Sequence, residues 1–228
     1  MFRKLREKYE TFKSDIESVR RNDPAARKFL EIILAYPGLH ALWMHRVAHS
    51  MWRRGMITMP RMLSHFNRFM TGIEIHPGAK IAKGVFIDHG MGVVIGETAE
   101  VGEGCLIYKG VVLGGTSLER KKRHPDLGRN VVVGSNACIL GPVKIGDGVR
   151  VGAGSVVIND VPDKATVVGI PGKIVPPKNG GKPRPVTLDH ANLPDPVIDA
   201  LTQLIKRHEE AEDRIAKLED SLKKKKHS

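Results

Sequence analysis

Residues 133–157 read Val133-Gly134-Ser135-Asn136-Ala137-Cys138-Ile139-Leu140-Gly141-Pro142-Val143-Lys144-Ile145-Gly146-Asp147-Gly148-Val149-Arg150-Val151-Gly152-Ala153-Gly154-Ser155-Val156-Val157, with an aliphatic residue at every sixth place: Val133, Ile139, Ile145, Val151 and Val157. The same beat runs upstream through Ile75, Ile81, Ile87 and Val93, and again through Ile95, Val101, Ile107 and Leu113. An α-helix returns to one face every three or four residues and cannot use a period of six. Glycine follows many of these aliphatics (Ile95-Gly96, Val101-Gly102, Val133-Gly134, Ile145-Gly146, Val151-Gly152), so each hexad offers one short strand and one turn. That is the pattern of a parallel β-helix. In the three-sided form roughly three hexads close a coil, the aliphatics point inward, and stacked coils share one core. The chain is expected to be mainly β: a left-handed parallel β-helix of hexapeptide repeats, preceded by an α-helical region and followed by a C-terminal helix.

A sequence tends to break its own rule where function requires it. The beat breaks first by a two-residue slip between Val93 and Ile95, just after Asp88-His89-Gly90-Met91-Gly92. It breaks again between Leu113 and Val133, where twenty residues replace a multiple of six. The second interruption, residues 114–130, includes Arg120-Lys121-Lys122-Arg123-His124 and is too polar and basic to pack inside. It is expected to be a loop thrown out from a rigid scaffold, the usual place for binding residues.

The remaining chain divides by composition. Residues 1–72 read as an α-helical domain: a first helix over Phe2 to Arg20, then Asn22-Asp23-Pro24 as an N-cap for a second that Pro37-Gly38 ends. A third helix carries Leu39 to Arg53 and a fourth spans Pro60 to Met70. His45 and His49 share a face of the third helix. No third ligand stands at a matching interval, so packing is expected there and no metal site. The β-helix occupies 73–175, and Pro176-Pro177, Gly180-Gly181, Pro183 and Pro185 mark a linker over 176–194. In 195–228, Val197, Leu201, Leu204, His208, Ala211, Ile215, Leu218 and Leu222 form a heptad seam before a Lys-rich tail. It reads as a coiled coil or as a single amphipathic helix.

The formal net charge of +12 favours anionic partners, either nucleic acid or a phosphorylated small molecule. Aromatics make up only 5% and no nucleic-acid motif is present, so nucleic acid is the weaker choice. No apolar run approaches a membrane span and no leader opens the chain, which makes a cytoplasmic protein with no membrane partner the expectation. Cys105 and Cys138, the two cysteines, fall inside the repeat and are expected to be reduced and structural.

The decorations on the repeat point to a chemistry. Asn22-Asp23-Pro24-Ala25-Ala26, Gly38-Leu39-His40-Ala41 with His45-Arg46 and His49, Glu74-Ile75-His76-Pro77-Gly78-Ala79, Phe86-Ile87-Asp88-His89-Gly90, Gly96-Glu97-Thr98-Ala99, Leu113-Gly114-Gly115-Thr116 and Arg123-His124-Pro125 follow one another in order. Together, across about residues 14–177, they closely resemble the serine O-acetyltransferase family of hexapeptide-repeat acyltransferases. The resemblance implies transfer of an acetyl group from acetyl-CoA to the hydroxyl of L-serine, the first step of cysteine synthesis. Acetyl-CoA is then a co-substrate, and neither a cofactor nor a metal is implied.

Such a transfer needs a base near neutral pKa, since serine's hydroxyl is a weak nucleophile at pH 7. Histidine suits the task, and His89 stands at the first slip. An imidazole base needs its other nitrogen held by an acceptor; Glu74, nearly one coil earlier, takes that role in the resemblance, where the family often has Asp. The resemblance implies Asp23 and Asp88 for the serine ammonium, and Arg123 with His124 for its carboxylate. A zwitterion requires that pairing of charges, and arginine offers a planar fork to a carboxylate. It implies the Gly115 N–H as oxyanion donor, Ser135, Arg150 and Ala153 along the acetyl-CoA groove, and Lys173 for a CoA phosphate. The implied assembly is a homotrimer, with a hexamer as the alternative. The family's cysteine synthase partner takes a C-terminal peptide ending in Ile; this chain ends Lys226-His227-Ser228, which leaves that partner open.

Three rival readings remain at this stage. An acyltransferase for a sugar or antibiotic hydroxyl would keep His89 but would not need Asp23, Asp88, Arg123 and His124. A β-helix carbonic anhydrase would need three histidines on zinc, and His76, His89 and His124 lack close spacing. An assembly protein built on the heptad seam leaves the loop unexplained.

Overall fold

A computed structural model describes residues 2–175, 202–212 and 214–215. The hexad beat folds as expected into a three-sided parallel β-helix. Its first face stacks Glu74–Ile75, Val94–Ile95, Val112–Gly114, Cys138–Leu140 and Val156–Val157. Its second stacks Lys80–Ile81, Glu100–Val101, Asp126–Leu127 and Lys144–Ile145. Its third stacks Phe86–Asp88, Leu106–Tyr108, Val132–Val133, Arg150–Val151 and Thr166–Val168, and Lys173–Val175 closes it antiparallel. In-register partners such as Ile75↔Ile95, Ile95↔Leu113 and Ile139↔Val157 put each aliphatic directly above the last. The result is one continuous buried core.

The first slip is visible as geometry. Successive inward aliphatics lie six residues apart across the same corner in the later coils (Ile107 to Leu113, Val133 to Ile139), whereas Ile87 and Ile95 lie eight apart. The two extra residues enlarge the turn that carries His89. The second interruption is shorter than the sequence suggests. Asp126–Leu127 is a strand of the second face, and Leu127, 4% exposed, fills the core. Leu127 stands one hexad before Val133, so the beat resumes inside the segment read as loop.

Four helices precede the first coil: α1 (Phe2–Asn22), α2 (Phe29–Ala35), α3 (Pro37–Trp52) and α4 (Thr58–Thr71). Two expected boundaries move. Asp23-Pro24 starts no helix; α2 begins at Phe29, where the Glu31 carboxylate accepts from the Arg27 and Lys28 backbone N–H groups. Pro37 opens α3 where the sequence suggested it would end α2, because proline suits a first helical turn that needs no N–H partner. Gly72 ends α4 in the left-handed conformation, φ 73°, donating to the Arg68 carbonyl.

The helices share the β-helix core: Ala41 and Leu42 cluster with Ile75 and Ile87. Gly38 lets α3 lie directly on the first coil, since a Cβ there would sit 2.1 Å from the Ile87 carbonyl oxygen. Asp15, 0% exposed, takes three bonds from the Arg46 guanidinium and one from the Gly84 N–H, tying α1 and α3 to the same coil. Burial pushes the Asp15 carboxyl upward and Arg46 opposes it. Together these contacts fix the end of α1 beside the strand ending at Asp88.

A second unit begins at Pro194. Its described residues are helical, and Leu204 and Ile215 of the seam are exposed. His208 and Ala211 of the seam are exposed too, whereas the linker, Val197, Leu201, Leu218 and Leu222 of the seam and the Lys-rich tail lie outside the described residues. Both cysteines are free, Cys105 buried with its thiol pushed up to about 12 by burial. Among the described residues no helix is long and apolar enough to cross a membrane.

Candidate functional site

The residues singled out from sequence fall on two edges of the prism. At the edge where the third face turns into the first, backbone bonds climb coil by coil: Gly110 N–H to the Met91 carbonyl, Asn136 to Lys109, Gly154 to Ser135, each 2.9 Å. His89 lies at the foot of this histidine edge, and Ser135 and Ala153 lie above it. With strands ~4.8 Å apart, the three coil steps from His89 to Ala153 span about 14 Å. Arg150 projects from the adjoining third face, in register with Val132 and Thr166. Lys173 is exposed on the strand that closes that face.

His89 is held in the left-handed region, φ 56°, and its side chain is 80% exposed. Non-glycine residues seldom adopt this conformation outside functional or specially constrained turns. Its Nε2 lies 3.9 Å from Oδ1 of Asp88, whose side chain is only 22% exposed. Burial raises the Asp88 carboxyl above the usual range and the Asp23 carboxylate raises it further, while His89 opposes both. Asp23 accepts from the Ala25 N–H at 2.8 Å through one oxygen and from the Tyr36 hydroxyl at 2.6 Å through the other. The end of α1 and the third face thus bring two carboxylates near one another, a natural seat for a cation. Glu74 accepts from Arg68 at 2.9 Å, and among the described residues no hydrogen bond joins it to His89.

The other edge, where the first face turns into the second, carries the loop. Thr98 organises it: its hydroxyl accepts from the backbone N–H groups of Arg123 and His124, 3.1 Å each, and its own N–H donates to His124 Nδ1 at 3.2 Å. That last bond leaves Nδ1 an acceptor and places the ring proton on Nε2. The ring, with His124 7% exposed, packs over Gly96, where a Cβ would lie 1.9 Å from it. Burial and then Arg123 lower its pKa, favouring the neutral donor. Arg123 donates to Glu97 at 2.7 Å and to the Glu119 carbonyl at 3.1 Å. Lys122 reaches the Thr98 carbonyl and the Asp126 carboxylate. Gly115 faces this group: a Cβ there would lie 3.1 Å from His124 Nε2, and no hydrogen bond takes up its N–H among the described residues.

Within one chain the structure therefore groups Asp23, Asp88, His89, Ser135 and Ala153 on one edge, and Gly115, Arg123 and His124 on another, with the first face between them. A cavity of about 470 Å³ between α3 and the second face, lined by His45, Arg46 and His49, contains none of these residues. Thr98, Glu97, Gly96 and Tyr36 had no stated role in the sequence. The signal for three of them was the motif Gly96-Glu97-Thr98-Ala99 at an ordinary corner; Tyr36 gave none. Among the described residues no cluster of histidine, cysteine and carboxylate side chains is arranged to hold a metal.

A family model described as bacterial transferase hexapeptide (six repeats) matches residues 124–159. The chain is 51% identical to a serine acetyltransferase of Synechococcus elongatus over 207 residues, covering 91% of this chain and 84% of that protein. It is 49% identical to one from Bacillus subtilis over 210 residues, covering 90% and 96%. Among solved structures, Neisseria gonorrhoeae serine acetyltransferase in complex with serine matches with a TM-score of 0.71 at 39% identity, over 74% of this chain and 69% of that one. Serine acetyltransferase from Brucella abortus matches with a TM-score of 0.73 at 36% identity, over 77% and 71%.

Proposed function

The chain belongs to the serine acetyltransferase family, and we propose how its residues divide the transfer of an acetyl group from acetyl-CoA to L-serine. His89, oriented by Glu74 once Glu74 exchanges Arg68 for the imidazole, takes the serine Oγ proton as that oxygen attacks the thioester carbonyl. The carbonyl oxygen becomes an oxyanion and accepts from the Gly115 N–H, where a fixed backbone donor lowers the barrier. Collapse breaks the C–S bond, and the departing CoA thiolate takes the proton back from the imidazolium.

Asp23 and Asp88 receive the serine ammonium, which relieves the repulsion between two neighbouring carboxylates. Arg123 and the His124 Nε2–H bind the carboxylate; Arg123 turns from Glu97 towards the substrate. The pantetheine arm lies along Ser135 and Ala153, whose small side chains leave the edge open, with Arg150 and Lys173 towards the phosphates. No resident cofactor is invoked.

The observation that carries this reading is the separation of the two halves of the site. A base and an ammonium seat on one edge, with a carboxylate seat and oxyanion donor on another, make one active site when the histidine edge of one protomer meets the loop edge of the next. A homotrimer does this three times. Exposed apolar residues along α4, among them Met62, Phe66 and Phe69, support association.

Complementation tests the arrangement. Chains carrying His89→Ala and chains carrying Arg123→Ala, each nearly inactive at low serine, are co-expressed in equal amounts, and serine-dependent thiol release is measured. Random trimers should regain about a quarter of wild-type activity, because that share of interfaces joins an intact His89 to an intact Arg123. No recovery in co-purified mixed trimers would place the whole site within one chain.

A further inference from the structure

We infer that Tyr36 is a positioning residue for the amino-acid substrate: its hydroxyl holds the Asp23 carboxylate where it and Asp88 together form the ammonium seat. The inference rests on the reading of Asp23 and Asp88 given above.

Tyr36 sits at the break between α2 and α3, with φ −102° and ψ 97°, so its side chain leaves the helical path. Its ring packs against the cluster of Ile16, Val19, Ile32, Leu39 and Phe86. Phe86 belongs to the strand that ends at Asp88, and Gly38, two residues beyond Tyr36, lies on the Ile87 carbonyl. The phenol is therefore anchored to the same strand that presents Asp88. From there the hydroxyl donates to Asp23 Oδ2 at 2.6 Å, while Ala25 N–H holds Oδ1. Burial and then three carboxylates, Asp23 first, Glu31 next and Asp88 last, push the phenol well above its ordinary pKa, so it stays a donor.

Asp23 follows the last turn of α1, and like charge on Asp88 tends to drive it away. A neutral donor at Oδ2 offsets that tendency without competing for the ammonium, which a lysine or arginine at the same place would do. Phenylalanine keeps the ring and its packing and removes only this bond.

The test is steady-state kinetics of Tyr36→Phe, Asp23→Asn and the double variant. Tyr36→Phe should raise KM for serine about tenfold, as expected for losing a hydrogen bond to a charged group. Its kcat should stay within about twofold and its KM for acetyl-CoA unchanged, since binding lost equally in ground and transition states moves KM alone. In the Asp23→Asn background, Tyr36→Phe should add almost nothing, because both act through one contact. Discrimination between serine and 3-hydroxypropionate, which lacks the amine, should fall in step. Equal rises in both KM values, or a fall in kcat with serine KM unchanged, would make Tyr36 merely structural and overturn the inference. A raised serine KM in Asp23→Asn with none in Tyr36→Phe would overturn it while sparing the ammonium seat. No effect of Asp23→Asn would bring down both.

Discussion

The histidine edge and the loop edge are built on the same repeat by opposite means. At the histidine edge the repeat is hardly disturbed: two extra residues widen one corner, and His89 stands in solvent on a constrained turn. At the loop edge a long insertion leaves the scaffold and is fastened back to it by Thr98, Glu97 and Asp126. The first edge presents an imidazole and carboxylates; the second presents a guanidinium and backbone or ring N–H groups. An ordinary corner is only three or four residues long, as at 109–111 and 134–137, so convergent groups are more easily gathered by adding residues or by using another chain. Added residues are present at both edges, and the proposed trimer would supply the second device.

The most severe way to break the contrast is to remove the base. His89→Ala should lower kcat by about 10² to 10⁴-fold, the range typical of a lost general base, with serine KM little changed. Glu74→Gln should cost less than His89→Ala. Stopped thiol-release assays across pH decide the point; near wild-type turnover in His89→Ala would move the base elsewhere.

Next in size is the carboxylate seat. Arg123→Ala should raise KM for serine about ten- to a hundredfold while sparing KM for acetyl-CoA, in line with the worth of a charge-assisted hydrogen bond. A rise confined to acetyl-CoA would transfer Arg123 to the phosphates and remove the division between the edges.

The smallest effect concerns stability. Beside the loop edge, His76 Nδ1 accepts from the Gly78 N–H at 3.0 Å, and burial with nearby Arg61 lowers the imidazole to about 4. Buried His45 is likewise lowered to about 3. The unfolded chain takes up these protons near the ordinary value of about 6.5, so it binds more protons than the fold below that pH. Stability should be full above roughly pH 6.5 and fall as the pH drops towards 4, with His76 contributing about 1–2 kcal/mol of the loss between pH 7 and pH 5. Urea titrations of His76→Asn should show a shallower fall, the remainder coming from His45 and His124, whose imidazoles are also lowered by burial. An unchanged slope would mean that His76 does not titrate as its surroundings dictate.

Much of this was legible in the chain. A six-residue beat does not fit an α-helix, and with glycine after many of its aliphatics it fits a β-helix; its first slip marks the His89 corner because extra residues in a repeat bulge outward. The beat was harder to follow through the loop, where Leu127 resumes it alone among polar neighbours. Helix limits at Asp23 and Pro37 went astray because proline signals a boundary without saying on which side of it the helix lies. What sequence could not supply was convergence. That Tyr36 reaches Asp23, that Thr98 carries His124, and that Asp88 and His124 occupy different edges are consequences of how coils stack and helices pack on them. Local rules govern which strand or turn a residue joins, so order along the chain determined the scaffold and the residue types of the site. Distances between residues far apart in sequence depend on the sum of many packing contacts, and only the folded structure decided which of them share an edge.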